Sequence, residues 1–274
     1  MTSTIAFIGA GNMGRAILGG LLAGGHPSEA LRAADADAAA CARAATEFGI
    51  STSPDAAAVA AGADVLVLAV TPRQVRPAAL ALPPPLPGRK PLVLSIAAGI
   101  TTAALAAWFG PDTPIVRSMP NPPALIRRGT SALFATAATD ERGRATAEAI
   151  MQAVGVVHWL TDESQMDAVT ALSGSGPAYV FRVIESLSAA GERLGLAPAL
   201  ARALALETVA GAANLAADSP HDPATLRQRV TSKGGTTERA LAALEDGGID
   251  ALFARALTAA CERSRALSEE FGKS

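Results

Sequence analysis

The chain has 274 residues, a hydrophobic fraction of 50% and a formal net charge of −2 at pH 7, enough for two ordinary domains with separate cores. Because there is no broad basic field, we expect neither nucleic acid nor an anionic membrane as a partner. No apolar run is long enough to span a bilayer and no secretory signal is visible, which favours a cytoplasmic protein. Cys41 and Cys261 fit no metal-ligand spacing, so we predict reduced packing residues, no metal ion and no disulfide.

The first predicted element is a strand that runs directly into a glycine-rich turn. Residues Thr4–Ile8 precede the sequence Gly-Ala-Gly-Asn-Met-Gly, and a helical pattern follows. Gly9 permits a tight turn, Gly11 lets the backbone approach a pyrophosphate, and Gly14 lets the helix pack closely on its strand. Free N–H groups at the start of that helix attract phosphate. This arrangement predicts a bound dinucleotide, and the alternative is a turn without a ligand.

Strand and helix patterns alternate through the N-terminal half of the chain. Strands are predicted at Leu31–Ala34, Val65–Val70, Leu92–Ile96, Ile115–Arg117 and Val156–Leu160, and helices at Met13–Gly24 and in an Ala-rich stretch that ends near Gly49. Continuous apolar strands are typical of parallel sheets covered on both faces. The predicted fold class is therefore α/β, with a Rossmann-type, doubly wound, mainly parallel sheet. The proline-rich run Leu82–Pro87 is predicted to be a surface connector.

Helical periodicity dominates the second half of the chain. Helices are predicted at Pro177–Leu194, Pro198–Ala217 and Ile249–Phe271, and Pro223 suits a first helical turn. We therefore place a dinucleotide-binding domain at residues 1–160 and an all-helical domain at residues 161–274. The helix that begins at Pro198 is apolar around much of its circumference. This favours cover by a second copy in a symmetric dimer, or in a higher assembly of dimers, over a self-sufficient bundle.

Three further segments are rich in residues that can bind small ligands. The loop after the strand at Ile115–Arg117 presents Asn121 where ligands sit in open parallel sheets, although Asn121 could instead cap the next element. Ser173–Gly176 opens the long helix and could hold an anion, or its glycines could permit close backbone packing. Gly234–Thr237 could enclose a carboxylate as a backbone nest, or its threonines could serve only as helix caps.

Five motifs in this order closely resemble the pyrroline-5-carboxylate reductase family. They are Gly-x-Gly-Asn-Met-Gly, Ser-Ile-Ala-Ala-Gly at Ser95–Gly99, Met-Pro-Asn-x-Pro-Ala, Leu-Ser-Gly-Ser-Gly-Pro-Ala-Tyr and Gly-Gly-Thr-Thr, and the resemblance runs from Ile5 to about Leu267. It implies hydride transfer from NADH or NADPH to the C=N carbon of a cyclic imine acid. The product would be L-proline, as in the last step of proline biosynthesis.

The resemblance also implies a role for particular residues. The cofactor would be bound by Gly9, Gly11, Asn12, Met13, Gly14, Asp35, Ala69, Val70, Thr71, Pro72, Ala97 and Asn121. The substrate would be bound by Ser173, Gly174, Ser175, Gly234, Gly235 and Thr236, and Thr237 would be the catalytic residue. In this interpretation the backbone of residues 234–236 holds the substrate carboxylate and Thr237 hydrogen-bonds the ring nitrogen. The serine segment lines the pocket from this chain or from a partner subunit, and the pocket lies at the junction of the two domains.

Two positions depart from the family pattern. Thr71 stands where relatives usually have Lys, so it can hydrogen-bond the nucleotide but supplies no charge. Asp35 stands where many relatives have a hydroxyl or Asn. Because a carboxylate accepts hydrogen bonds from the adenosine ribose and repels a 2′-phosphate, Asp35 predicts NADH over NADPH. Arg32 or Arg43 could counter this preference if either turned towards the phosphate.

Two other functions remain open from the residues alone. A hydroxyacid dehydrogenase would need a base, typically a Lys on the long helix of the second domain, and Pro177–Leu194 contains no Lys. A non-catalytic dinucleotide sensor would not need the serine-glycine and glycine-threonine segments. The three histidines, His26, His158 and His221, lie outside all five motifs, which fits a reaction that needs no placed general acid.

Overall fold

The computed structural model describes residues 3–82 and 90–272. Within these ranges eight strands form one sheet: β1 Ile5–Ile8, β2 Leu31–Ala34, β3 Ser51–Ser53, β4 Val65–Leu68, β5 Leu92–Ser95, β6 Ile115–Met119, β7 Gly129–Ala135 and β8 Gly155–Trp159. Their order is β3-β2-β1-β4-β5-β6-β7-β8. Every neighbouring pair is parallel except β6 and β7. The predicted connector Leu82–Pro87 lies outside the described residues from position 83 onward.

Helices cover both faces of the sheet, which confirms the doubly wound, mainly parallel fold. They are α1 Asn12–Ala23, α2 Ala38–Phe48, α3 Ala56–Ala60, α4 Pro72–Ala81, α5 Thr102–Phe109 and α6 Glu141–Gln152. Side chains alternate across β1, so that Ile5 and Phe7 join one apolar core and Ala6 and Ile8 join the other. Both cores bury continuous apolar strands, and this explains the uninterrupted hydrophobic runs in the sequence.

Two strands, β3 and β7, were not predicted from the sequence. β3 is a three-residue edge strand made only of Ser and Thr, so it lacks the apolar signal that marks the other strands. β7 follows a 3₁₀ turn at Pro122–Ile126, and Arg127 adopts the left-handed conformation with φ 57° before the chain reverses. A non-glycine residue in that conformation is uncommon, and nothing in the pattern predicted an antiparallel strand there.

The second half of the described chain is helical, as predicted. Its helices are α7 Met166–Val169, α8 Gly176–Arg193, α9 Pro198–Asp218, α10 Pro223–Arg229, α11 Thr236–Asp246 and α12 Ile249–Gly272, and a π-helical turn at Thr170–Gly174 joins α7 to α8. Several apolar residues of α8 are exposed in the single chain, among them Phe181 at 60% and Leu187 at 46%. Of the helices in the described ranges, none is long and apolar enough to cross a membrane.

The described chain divides into two compact units at positions that differ from the predicted boundary at residue 161. The first unit extends to Ser175 and also includes the chain from Ala260 onward, and the second unit covers Gly176–Ala259. Two contacts explain the difference: Glu163 pairs with Arg117 of β6, and Phe271 is buried in one core of the sheet. The segment before α8 and the C-terminal half of α12 therefore belong to the sheet unit.

The contact between α1 and the end of α6 leaves no room for a side chain at Gly20. A Cβ atom there would lie 2.9 Å from the carbonyl carbon of Ala153 and 3.0 Å from Cγ1 of Val154. We expect Gly20→Ala to lower the free energy of unfolding by about 2 kcal/mol, because overpacking outweighs the gain in helix propensity. Gly19→Ala is the matched control, since its Cβ would meet the Phe48 ring at 3.3 Å and should cost less. Urea denaturation of both variants measures this, and equal losses would contradict the packing argument.

Candidate functional site

The turn after β1 lies against the residues that follow β4. Gly9 has φ 108°, and a Cβ atom there would lie 2.6 Å from the carbonyl carbon and oxygen of Ala69. Its N–H donates to the carbonyl of Ala34 at 2.7 Å, which joins the turn to the end of β2. Gly14 is equally constrained, because a Cβ atom there would lie 2.7 Å from the Gly9 carbonyl oxygen. Gly9 and Gly14 are therefore required by packing within the protein itself.

Gly11 differs from its neighbours because the space beside it is open. No atom lies within 4 Å of the position that its Cβ would occupy. Gly11 is also the N-cap of α1, and no side chain caps this helix and no acidic residue lies in its first turn. The N–H groups of that turn therefore remain available for an anion. Open space beside exposed N–H donors fits the pyrophosphate of a dinucleotide, with Asn12 and Met13 at the helix start.

Asp35 supports the glycine turn directly. Its Oδ2 accepts a hydrogen bond from the Ala10 N–H at 2.8 Å, and its Oδ1 accepts one from the Asp37 N–H at 2.9 Å. The carboxylate is thus fixed at the end of β2 beside the turn. Each oxygen has further lone-pair capacity, so these bonds leave Asp35 able to accept a hydrogen bond from a ligand hydroxyl.

The remaining predicted cofactor residues follow neighbouring parallel strands and so share the carboxyl edge of the sheet. Residues 69–72 follow β4, Ala97 follows β5 and Asn121 follows β6. Ala97 is 3% exposed, so little of its surface is open to a ligand. Thr71 is the N-cap of α4, and its hydroxyl donates to Oε1 of Gln74 at 2.7 Å. The structure therefore brings all predicted cofactor residues to one edge of the sheet unit.

Asn121 is a buried residue whose side chain bonds to the protein at both ends. Its Oδ1 accepts from the Thr130 N–H at 2.9 Å, and its Nδ2 donates to the Ser173 carbonyl oxygen at 3.1 Å. The side chain does not cap the following 3₁₀ turn, so the capping alternative is wrong. Asn121 instead joins the start of β7 to the segment that contains Ser173.

The segment Ser173–Ser175 is not the free helix N-terminus that the sequence suggested. It lies in and after the π-helical turn, and the Ser175 N–H donates to the Thr170 carbonyl at 2.9 Å. The Ser173 hydroxyl donates to the Val169 carbonyl at 3.1 Å. A Cβ atom at Gly174 would lie 2.5 Å from Cε of Met119, which is the end of a side chain and not the second backbone that the packing alternative required. The backbone donor of Ser175 is thus already engaged, and any ligand contact would use other atoms.

The second compact unit contains the Gly234–Thr237 segment at the start of α11. Gly234 has φ 72°, and its N–H donates to Oε2 of Glu238 at 2.7 Å. The Gly235 N–H donates to the Ser232 carbonyl at 3.0 Å. The two glycine donors of the predicted carboxylate nest are therefore engaged within the chain. The N–H groups of Thr236 and Thr237 lie in the first helical turn and have no acceptor in the helix.

Sequence reasoning missed an ion pair beneath the carboxyl edge of the sheet. Arg117 is 4% exposed, and its Nη1 donates to Oε1 of Glu163 at 2.8 Å. Glu163 also accepts from the N–H of Thr102 at 2.8 Å and from the Thr102 hydroxyl. The one signal in the sequence was an arginine inside an apolar strand. A charge buried there requires a partner, but the sequence did not show which residue it is.

The residue before Glu163 helps to fix the same segment. Asp162 accepts hydrogen bonds from the hydroxyl and the N–H of Ser164, and these bonds, the hydroxyl first, lower the pKa of Asp162. A lowered pKa in the folded state means that this stabilisation is present above the unfolded pKa and is lost as the pH falls through the folded value.

Among the described residues, no group of three or more His, Cys, Asp or Glu side chains could hold a metal ion.

Comparison with known proteins finds the same likeness over both halves of the chain. A family model described as pyrroline-5-carboxylate reductase dimerisation matches residues 163–267, and one described as NADP oxidoreductase coenzyme F420-dependent matches residues 4–99. The pyrroline-5-carboxylate reductase of Pseudomonas aeruginosa is 47% identical over 272 residues, which cover 99% of each chain.

Solved structures of similar proteins agree with this likeness. The pyrroline-5-carboxylate reductase of Coxiella burnetii has a TM-score of 0.93 and 42% identity, and the match covers 98% of this chain and 99% of that one. The Plasmodium falciparum pyrroline carboxylate reductase, with NADP bound, has a TM-score of 0.85 and 28% identity. That match covers 97% of this chain and 98% of the Plasmodium chain.

Alanine substitutions at the two glycines should separate packing from ligand binding. Gly9→Ala should lower the free energy of unfolding by about 3 kcal/mol, because the added Cβ has no space and the backbone has a positive φ that alanine rarely adopts. Gly11→Ala should leave the melting temperature unchanged but weaken NADH binding about tenfold, because its methyl group would occupy the space open to a pyrophosphate. Thermal unfolding and nucleotide fluorescence titration measure the two effects. Unaltered nucleotide affinity in Gly11→Ala would contradict the assignment.

Proposed function

This chain belongs to the pyrroline-5-carboxylate reductase family, and we propose that it transfers a hydride from NADH or NADPH to the C=N bond of 1-pyrroline-5-carboxylate. The product is L-proline, and the reaction is the last step of proline biosynthesis. The proposal rests above all on the likeness to the Pseudomonas aeruginosa enzyme, at 47% identity over 99% of both chains. We place the reaction in the cytoplasm, in keeping with the composition.

The carboxyl edge of the sheet unit supports the cofactor part of this proposal. The reduced nicotinamide supplies a hydride to the imine carbon when the dinucleotide is bound. The open backbone at Gly11 and the first turn of α1 would hold the pyrophosphate, while Asp35 would accept a hydrogen bond from the adenosine ribose. Residues 69–72 and Ala97 would contact the dinucleotide farther along the same edge.

The start of α11 would hold the substrate. Because Gly234 and Gly235 donate within the chain, the substrate carboxylate would be received chiefly by the N–H groups of Thr236 and Thr237. The Thr237 hydroxyl would hydrogen-bond the ring nitrogen, and Ser173–Ser175, of this chain or of a partner subunit, would contact the substrate. Fixed donors of this kind orient a small anion as well as bind it.

The chemistry requires little proton transfer by the protein. A protonated imine is already electrophilic, and its nitrogen keeps its proton when the carbon receives the hydride, so the product amine forms without a general acid. This fits the surroundings of the histidines: His26 contacts the Ser3 carbonyl oxygen at 3.1 Å, and His158 lies on β8 with an exposed side chain. The protein's part is to orient the substrate and exclude water.

We propose that the protein is a homodimer in which the helical unit pairs with its copy. The dimerisation family model covers residues 163–267. Large apolar side chains are exposed along the helices of this region in the single chain: Leu187, Leu200, Leu204, Leu206, Leu215, Leu244, Leu252 and Phe253. So many exposed apolar residues are typical of a surface that another subunit covers.

An imine assay with a Thr237 variant tests the proposed reaction. The wild-type chain should oxidise NADH or NADPH only when pyrroline-5-carboxylate is added. Thr237→Ala should lower kcat/KM about 100-fold, which corresponds to the loss of a charged hydrogen bond in the transition state, and should leave nucleotide affinity within about twofold. The control is Thr146→Ala on α6, whose hydroxyl bonds only to the Arg142 carbonyl. No turnover with the imine in the wild type would overturn the proposed function.

Cofactor choice is tested at Asp35. We expect NADH to give the higher kcat/KM, because the fixed carboxylate repels a 2′-phosphate. Asp35→Asn removes the charge and should raise kcat/KM with NADPH about tenfold relative to NADH. Asp37→Asn makes the same charge change two residues away and should alter the ratio little. A wild-type preference for NADPH would refute this role for Asp35.

A further inference from the structure

Two alternate residues of β6 and a third just beyond its end contact one segment of the chain, Glu163–Gly174. Arg117 pairs with Glu163, Met119 packs against Gly174, and Asn121 donates to the Ser173 carbonyl. Side chains two residues apart on an extended chain point to the same side, and Asn121 is itself extended, with φ −133° and ψ 163°. One side of the chain at residues 117–121 thus contacts the segment Glu163–Gly174 at both of its ends.

The anchored segment contains an unusual backbone. The turn Thr170–Gly174 is π-helical, and the Ser175 N–H reaches back five residues to the Thr170 carbonyl. Such turns are rare and recur at functional sites. Because local propensity does not favour this conformation, contacts from outside the helix must help to hold it. The contacts with Met119 and Asn121 fall on this turn, and the Arg117 contact falls at Glu163, seven residues before it.

The surroundings of Asn121 show what its amide does. It is 9% exposed, and its oxygen and nitrogen are bonded to the Thr130 N–H and the Ser173 carbonyl. Each end keeps capacity for one further hydrogen bond, but at 9% exposure little of the side chain is open to a dinucleotide, to which the resemblance assigned it. Its two bonds instead join β7 to the π-helical turn.

We propose that Asn121 is a positioning residue that holds the Ser173–Ser175 backbone in place for substrate, with Met119 and Arg117 as further anchors. This inference rests on the proposed function of that segment in substrate binding. Loss of the Asn121 amide leaves the Ser173 carbonyl without its partner and frees the turn to move. The nucleotide site at the glycine turn is not altered by this change.

The first experiment compares Asn121→Ala and Asn121→Asp with the wild type. Asn121→Asp keeps an acceptor for the Thr130 N–H but places a carboxylate oxygen against the Ser173 carbonyl. In both variants KM for pyrroline-5-carboxylate should rise about tenfold, the factor expected when a partly buried carbonyl loses its partner. Affinity for NADH, measured by fluorescence titration without imine, should change less than about twofold. Weakened NADH binding with an unchanged KM for the imine would show that Asn121 serves the cofactor and would overturn the proposal.

The second experiment uses the contact between Gly174 and Met119. A Cβ atom at Gly174 would lie 2.5 Å from Cε of Met119, the movable end of that side chain, so Gly174→Ala should displace Met119 and raise KM for the imine about threefold. Met119→Ala provides the space, so the double variant should return to within about twofold of Met119→Ala alone. Failure of this rescue would show that the contact does not set the position of the turn. This pair remains informative if the Asn121 variants do not fold.

A measurement without substrate separates this inference from the proposed reaction. In Asn121→Ala, hydrogen exchange at the Ser175 amide should accelerate about tenfold, because its bond to Thr170 belongs to the anchored turn. Faster exchange in Asn121→Ala, together with a wild-type chain that does not reduce the imine, would support the anchoring and refute the reaction. Unchanged exchange would refute the anchoring whatever the activity.

Discussion

The close approach of the turn after β1 to the end of β4 is the constraint on which the sheet unit depends. No side chain fits between Gly9 and Ala69, so the first turn and the loop after β4 are held together at backbone distance. Asp35 fixes the same turn from the end of β2 through the Ala10 N–H. This edge of the sheet is therefore held by close backbone packing and by the Asp35 carboxylate, and of the three glycines in the turn only Gly11 has open space beside it.

The sequence predicted six of the eight strands and the glycine turn. Uninterrupted apolar runs identified β4 and β5 because both faces of those strands are buried, and Gly49 ended α2 in the left-handed conformation with φ 64°. The polar strand β3 and the antiparallel strand β7 gave no such signal. Their positions depend on tertiary contacts, which local patterns do not encode.

The motifs predicted which segments contact ligands, but they did not predict the local geometry of those segments. Motifs located the serine-glycine and glycine-threonine segments, yet they did not reveal that Ser175 belongs to a π-helical turn or that Gly234 donates to Glu238. These details arise from contacts between residues whose spacing forms no motif. The pairing of Arg117 with Glu163 is of the same kind, since 46 positions separate the two.

The last helix, α12, begins in the helical unit and ends in the sheet unit. Its Phe271 completes one core of a sheet whose first strand begins at Ile5. During synthesis that core therefore cannot close until Phe271 has been made. Until then the apolar face that receives Phe271 and Leu267 stays open on the ribosome, where it is exposed to chaperones and to misassociation.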